Sequence, residues 1–408
     1  MDMIAEARAL DAADPLAARR ALYLIPEGVI YLDGNSLGPA SHAALAALDM
    51  AARQEWAEGL IRSWNAAGWF DMPMALGDRL GRLIGAGEGC VVACDTISVN
   101  LYKVLNACLA LRPDRRVILA EATSFPTDLY IAEGVCAAAG ARLVLAEGPV
   151  EAALGPEVAA MLVNHVDYRT GALRDMAGLT AAAHRAGALA VWDLSHSAGA
   201  LEVSLDATGA DFAVGCTYKY LNGGPGAPAF IYAAACHHGA IRQPVTGWWG
   251  HARPFAFETG FEPAEGVKAF LAGTQPVLSF RALAGAMEDW DGVEMSAVRA
   301  KSTRMTQAFI DWVEAACAGH GLELTGPREA EARGSQVSFR HPHGYEIMQA
   351  LIARGVIGDF RAPDVLRFGF APLYLSFEEV ARAVLALAEV LDSGAWREAL
   401  YAERGTVT

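Results

Sequence analysis

From about residue 90 to residue 235 the chain repeats one pattern, in which apolar runs of strand length alternate with amphipathic runs of helix length. RVILA is followed by TDLYIAEGVCAAAG, then RLVLA, MLVN, MAGLTAAAHRAGA, LAVWDL, DFAVGC and AFIYA. Unbroken apolar strands are buried on both faces, and intervening helices return the chain to start the next strand in the same direction. The pattern predicts an α/β domain with a mostly parallel central sheet covered on both faces. After residue 290 the order becomes a long helix (SAVRAKSTRMTQAFIDWVEAACAG), QVSFR, helical YEIMQALIARG, VLRFGFAP and a closing helix, FEEVARAVLALAEVLD. This predicts a smaller α+β domain. Because single cores stop growing near ~250–300 residues, the 408 residues divide into an N-terminal arm (1–45), a large domain (46–290) and a small domain (291–408).

Parallel sheets of this kind hold ligands beyond the carboxyl ends of their strands. Asp193 ends LAVWDL and is followed by Ser195 and His196; Lys219, in TYKYLNGGPG, follows the next strand, DFAVGC. Parallel neighbours would carry both to one sheet edge. Taken singly, each residue has a plain reading: a helix N-cap for the aspartate, a solvated charge beside a glycine turn for the lysine. Taken together they meet the needs of pyridoxal phosphate, whose aldehyde forms a Schiff base with an amine while a carboxylate keeps its pyridine nitrogen protonated. Desolvation would lower the lysine pKa toward the free amine, and the glycines after it would let backbone approach the cofactor closely. CDTISVNLYKVLNACLAL opens a helix with Thr96 and Ser98, which suits an N-cap and an anion-binding N-terminus equally. Phe125 in SFPTDLY offers an aromatic face, with Asp128 three residues on, although a core phenylalanine before a capped helix reads the same way. Tyr218 sets a phenol beside the lysine.

Other chemistries find less support. The net charge of −15 and the absence of Lys/Arg clusters argue against nucleic acid and anionic membranes. No stretch reaches the ~18 apolar residues of a membrane span, and the acidic N-terminus does not read as a secretory signal. Seven scattered cysteines without a CxxC pair fit free thiols in a reducing cytoplasm. Gly224, Gly226 and Ala229 match G-x-G-x-x-A, but strand-like AFIYA follows where dinucleotide binding needs a helix. His237-His238 and His341-x-His343 lack partner ligands at metal spacing, so no metal is expected.

Five motifs, YLDGNSLGP (31–39), FPTD (125–128), DLSHSAG (193–199), YKYLNGGPG (218–226) and GWWGH (247–251), together resemble the kynureninase family of fold type I pyridoxal-phosphate enzymes, in the class V aminotransferase group. They run in the family's order over nearly the whole chain. The resemblance implies cofactor attachment at Lys219, a pyridine-nitrogen partner in Asp193, support from His196, stacking by Phe125 with Asp128 close by, and phosphate contacts from Ile97, Ser98 and Tyr218. It also implies that Trp248 and Thr274 reach the neighbour's phosphate in a homodimer with composite sites. Arg367 would clamp the substrate α-carboxylate through a bidentate fork, with Ser36 also at the substrate. Asn164 departs from the hydroxyl residue common at its position near the cofactor O3′. The implied reaction is hydrolysis of L-kynurenine to anthranilate and L-alanine, with Lys219 moving the α-proton and Tyr218 delivering protons. Trp64, Gly273 and Thr274 match the pocket set that goes with L-kynurenine over 3-hydroxykynurenine. The alternative within the superfamily is a cysteine desulfurase or aminotransferase, but the one late cysteine, Cys317, falls within a helical pattern.

Overall fold

The computed structural model describes residues 3–405, so the outermost residues of the expected arm and small domain, 1–2 and 406–408, lie outside it. The arm carries helix α1 (Met3–Ala12) and the short strand β1 (Ile30–Tyr31). Helices α2 (His42–Met50), α3 (Ser63–Ala66) and α4 (Met72–Ile84) follow. Then come β2 (Val91–Ala93), α5 (Ile97–Leu111), β3 (Val117–Glu121), α6 (Pro126–Ala139), β4 (Arg142–Ala146), β5 (Val158–Asn164), α7 (Met176–Arg185), β6 (Leu189–Asp193), α8 (Leu205–Thr208), β7 (Phe212–Gly215) and β8 (Phe230–Ala233).

These strands form one seven-stranded sheet in the order β2-β8-β7-β6-β5-β3-β4. Each apolar run quoted above is a strand of it, and β5, β6, β7 and β8 are buried at every residue. Alternate residues supply two cores: Val117, Leu119, Met161, Val163, Ala190 and Trp192 face one, and Ile118, Ala120, Ala160, Leu162, Leu189 and Val191 the other. The period-two alternation of a pleated strand, apolar on both phases, is what seats helices on both sides. The pairs among β3 to β7 are parallel, whereas β8 runs antiparallel to both β7 and β2. The link from β7 to β8 has no crossover helix, and a direct return reverses the strand. Helix starts follow local chemistry: Thr96 caps α5 and Asp175 caps α7, while Gly140 closes α6 in the left-handed region. Residues 51–59 wind as a π-helix, which nothing in their polar pattern signals.

Beyond α9 (Val277–Glu288) and α10 (Met295–Ala316) lie β9 (Glu323–Leu324), β10 (Gln336–Arg340), α11 (Gly344–Ile352), β11 (Val356–Ile357), β12 (Asp359–Arg361), β13 (Val365–Gly369) and α12 (Phe377–Ser393). They build an antiparallel sheet of order β12-β13-β10-β9. The arm joins this end of the molecule. Strand β1 pairs parallel with β11, and the Asp11 carboxylate accepts the Phe377 and Glu378 N–H groups at the start of α12. Ser376 and Glu379 complete a capping box there.

Candidate active site

The C-terminal ends of three adjacent strands meet at one point. Asn164, the last residue of β5, is in register with Asp193, the last of β6, and Asp193 lies beside Val214 of β7, from which the chain runs on to Lys219. Asp193, Lys219, Tyr218, His196, Asn164, Asp128, Phe125 and Ile97 line a single cavity, together with Tyr168, Ser195 and Cys216. The expected convergence of the aspartate and the lysine is therefore present.

Asp193 is buried and well supplied with donors: its Oδ1 accepts from the Ser195 N–H at 2.8 Å and the Ser195 hydroxyl at 2.6 Å. Its Oδ2 accepts from Asn164 Nδ2 at 2.7 Å, and the same amide nitrogen donates at 2.7 Å to Asp128 Oδ2. Asn164 Oδ1 in turn accepts the Phe125 N–H at 2.9 Å. Asn164 thus bridges two buried carboxyl groups and fixes the start of α6. Burial, and then the charge of Asp193, push the Asp128 carboxyl well above the usual carboxylate range. Lys219 is partly exposed through the cavity mouth, yet desolvation of its amine lowers its pKa from the ordinary lysine value. Its Nζ lies 5.9 Å from the Phe125 and Tyr218 ring centres. Burial, followed by the charges of Lys219 and Arg367, holds His196 well below its normal range; its Nδ1 sits 3.0 Å from Gln336 Oε1. Burial raises the Tyr218 phenol, which keeps it a proton donor at any working pH.

Gly224 and Gly226 take left-handed backbone (φ 92° and 71°) with nothing close enough to touch an added Cβ. Their left-handed backbone turns the chain into β8. The glycine that permits close approach is Gly38: a Cβ there would meet the Lys219 carbonyl oxygen at 2.4 Å, and its N–H donates to the Tyr218 carbonyl at 2.7 Å. The GNSLG loop is thereby packed onto the lysine turn.

Ser36, on that loop, donates to Asp359 Oδ2 at 2.7 Å and accepts from Arg367 Nη2 at 3.0 Å. Arg367 is buried, as expected of a clamp, but its fork faces inward: Nε donates to Asp359 Oδ1 at 2.8 Å and Nη2 to Asp359 Oδ2, while Nη1 reaches the Tyr168 carbonyl at 2.6 Å. The bidentate edge assigned to substrate is thus occupied by Asp359.

The remaining expected residues lie apart from this cavity. Thr96 hydroxyl caps α5 through the Val99 N–H; Ile97 lines the cavity and Ser98 does not. Trp64 packs edge-on to Trp248 at 5.7 Å and Trp249 at 5.2 Å. Trp249 N–H bonds the Ala272 carbonyl, next to exposed Gly273 and Thr274. Within one chain, Trp64 and Trp248 join Trp249 and Phe70 in an aromatic cluster, with Gly273 and Thr274 exposed on the segment after Ala272. Residues missed by sequence reasoning are Tyr168, Cys216, Asp359 and Arg361; Asp359 and Arg361 lie in FRAPDV and its approach, where no apolar strand end marked them. Among the described residues no three His, Cys, Asp or Glu side chains group as metal ligands, and no helix is long and apolar enough to cross a membrane. Cys317 is buried at the end of α10, and burial pushes its thiol up to about 11, which leaves it a poor nucleophile.

Comparison with known proteins bears on this arrangement. Residues 298–387 match the model of the kynureninase C-terminal domain. Kynureninase from Burkholderia pseudomallei (strain 1106a) is 52% identical over 411 residues, covering 99% of each chain. Among solved structures, the apo cysteine desulfurase of Thermococcus onnurineus NA1 superposes with a TM-score of 0.75 at 19% identity, over 90% of this chain and 95% of that one. A C-DES variant with glycine covalently linked to its PLP cofactor gives 0.76 at 18%, over 89% and 97%. At such identities the structural likeness shows the fold alone, whereas identity over half of all positions along the full length reaches further: the chain belongs to the kynureninase family.

Proposed function

We propose that the chain hydrolyses L-kynurenine to anthranilate and L-alanine, breaking the Cβ–Cγ bond with pyridoxal 5′-phosphate as cofactor. The observation that carries this reading is the shared cavity of Lys219 and Asp193, on a chain whose relatives over its whole length are kynureninases. The residues fit the cofactor: a desolvated amine, a carboxylate anchored by three donors, an aromatic face at Phe125 and the N-terminus of α5 at Ile97. When bound, the cofactor supplies an electron sink for the carbanion at the substrate Cα.

The chain supplies the rest. Asn164 and Ser195 orient the Asp193 carboxylate toward the ring nitrogen, and His196 backs the site from behind. Lys219 Nζ, its pKa lowered by burial, takes the proton from Cα. Tyr218, kept protonated, donates toward carbon as the Cβ–Cγ bond breaks, once water has added to the γ-carbonyl. Ser36 and Arg367 hold the α-carboxylate end. The large unit 46–290 carries the cofactor residues, and the small unit 291–408 with the arm 1–45 carries the carboxylate site.

Trp64, Trp248, Gly273 and Thr274 serve the neighbouring subunit of a homodimer, with Trp248 and Thr274 at its phosphate and the others around its aryl ring. Exposed apolar side chains support such an interface: Trp56 is 60%, Ile61 78% and Phe257 86% exposed. Trp64 and Gly273 around the aryl ring favour L-kynurenine where they leave the 3-hydroxyl of 3-hydroxykynurenine unpaired, at a cost on the order of 1–3 kcal/mol. The enzyme works on a small molecule in the cytoplasm. Anthranilate fluorescence after addition of L-kynurenine and cofactor tests the reaction, with alanine released in equal amount; protein that yields neither would not have this function. A kcat/KM for 3-hydroxykynurenine equal to that for L-kynurenine would overturn the assigned preference.

A further inference from the structure

Arg367 has few donors left for a ligand. Of its five N–H groups, those on Nε and Nη2 go to Asp359 and Ser36, and one on Nη1 goes to the Tyr168 carbonyl. The Asn35 amide oxygen, turned inward, stands a further 3.0 Å from Nε. A guanidinium so engaged offers a substrate carboxylate one hydrogen bond. Two residues before β12 ends, Asp359 also accepts from a second guanidinium, Arg361 Nη2 at 2.7 Å, and that same nitrogen lies 3.5 Å from Ser36 Oγ. Arg361 differs in its reserve. Its side chain is 37% exposed, while its Nε is buried and finds no partner among the described residues. A buried, unpartnered donor of a charged group is costly unless a ligand satisfies it. Arg361 is also within electrostatic reach of Lys219, Tyr168 and Asp33.

We infer that Arg361 is a second carboxylate-binding residue of the site, holding one oxygen of the substrate α-carboxylate while the free Nη1 donor of Arg367 holds the other. The inference rests on the proposed hydrolysis of L-kynurenine. Asp359 then serves as a positioning residue that aligns both guanidinium groups.

The test compares L-kynurenine with its carboxamide, in which a neutral group replaces the carboxylate, using holoenzyme of the wild type, Arg361→Gln and Arg361→Lys. Arg361→Gln is expected to lower kcat/KM for L-kynurenine by about 10–100-fold, mainly through KM, and to change it less than about threefold for the carboxamide. Arg361→Lys, which keeps the charge, should recover part of the loss. Titration with L-alanine and L-alaninamide, followed by the visible absorbance of the bound cofactor, should show the same selective weakening without turnover. Equal losses for acid and amide, or no loss for either, would overturn the assignment. Wild-type protein that releases no anthranilate from L-kynurenine would instead refute the reaction, and the alanine pair would still report on Arg361.

Discussion

The cavity at Lys219 and the patch at Trp248 are both aromatic and both belong to the expected site, but they are built in opposite ways. At the cavity the carboxyl pair is held by neighbours in the same chain: Asn164 by Asp128, Asp193 and the Phe125 N–H, Asp193 by Ser195 as well. At the patch the rings of Trp248 and Trp249 stack 5.1 Å apart, yet Gly273 and Thr274 beside them face solvent. The carboxyl pair of the cavity is tied down within one chain, and the patch presents a surface. With the patch at the proposed homodimer interface, changes in it are expected to act through association, whereas changes at the carboxyl pair and Lys219 are expected to act at any protein concentration.

The largest effect belongs to the cavity. Lys219→Ala removes the amine proposed to move the α-proton, and anthranilate release should fall by at least about 1,000-fold. The loss should not vary with enzyme concentration. A residual rate within tenfold of wild type would break the division between the two regions at its centre.

Asn164→Ala is the next largest. It withdraws the one amide that bridges Asp128 and Asp193 and leaves two buried carboxyl groups facing each other, a cost of about 1–3 kcal/mol. Because Asp128 is raised well above the usual range, it is protonated at lower pH, which removes the like-charge repulsion. The destabilisation seen in urea should therefore grow as pH rises. A pH-independent loss would mean that packing alone, and not the carboxyl pair, is what Asn164 serves.

What could be read from the sequence follows the same division. Asp193 and Lys219 end apolar runs, so strand pattern alone carried them to one sheet edge. Asn164 also ends such a run, but its double donation depends on Asp128 from a different strand–helix turn, and no local pattern encodes that. The reversal of β8 and the role of Gly38 were hidden for a related reason: Gly38 touches the Lys219 turn, far along the chain. Ser36, Asp359, Arg361 and Arg367 meet only because the arm joins the C-terminal sheet through β1 and β11. Arg367 was identifiable by its motif, but the residue occupying its fork was not.

Trp248→Ala sharpens the patch side. Loss of one stacked and one edge-on partner is worth about 0.5–1.5 kcal/mol each, so cofactor retention should weaken by about tenfold at low enzyme concentration and approach wild type at high concentration. Sedimentation velocity on the same samples should show dissociation in parallel. A weakening independent of concentration would place Trp248 in the same class as the cavity residues.

The smallest expected effect lies next to the cavity, at Asp33. Burial, and then the charge of Asp359, raise its carboxyl to about 7, with Ser36, Arg367 and Arg361 opposing the shift; Tyr31 and Tyr374 face it as well. In the unfolded chain it titrates near ~3.9. The folded state therefore binds this proton more tightly, so its contribution is most favourable below pH 4 and is lost as pH climbs toward 7. An asparagine carries no such titration. Asp33→Asn should match the wild type near pH 4 and melt at a higher temperature than it at pH 8. Melting curves of the two proteins across that range decide the matter: a constant difference at every pH would show that Asp33 keeps its charge in the fold, and that the two arginines outweigh both its burial and its neighbour.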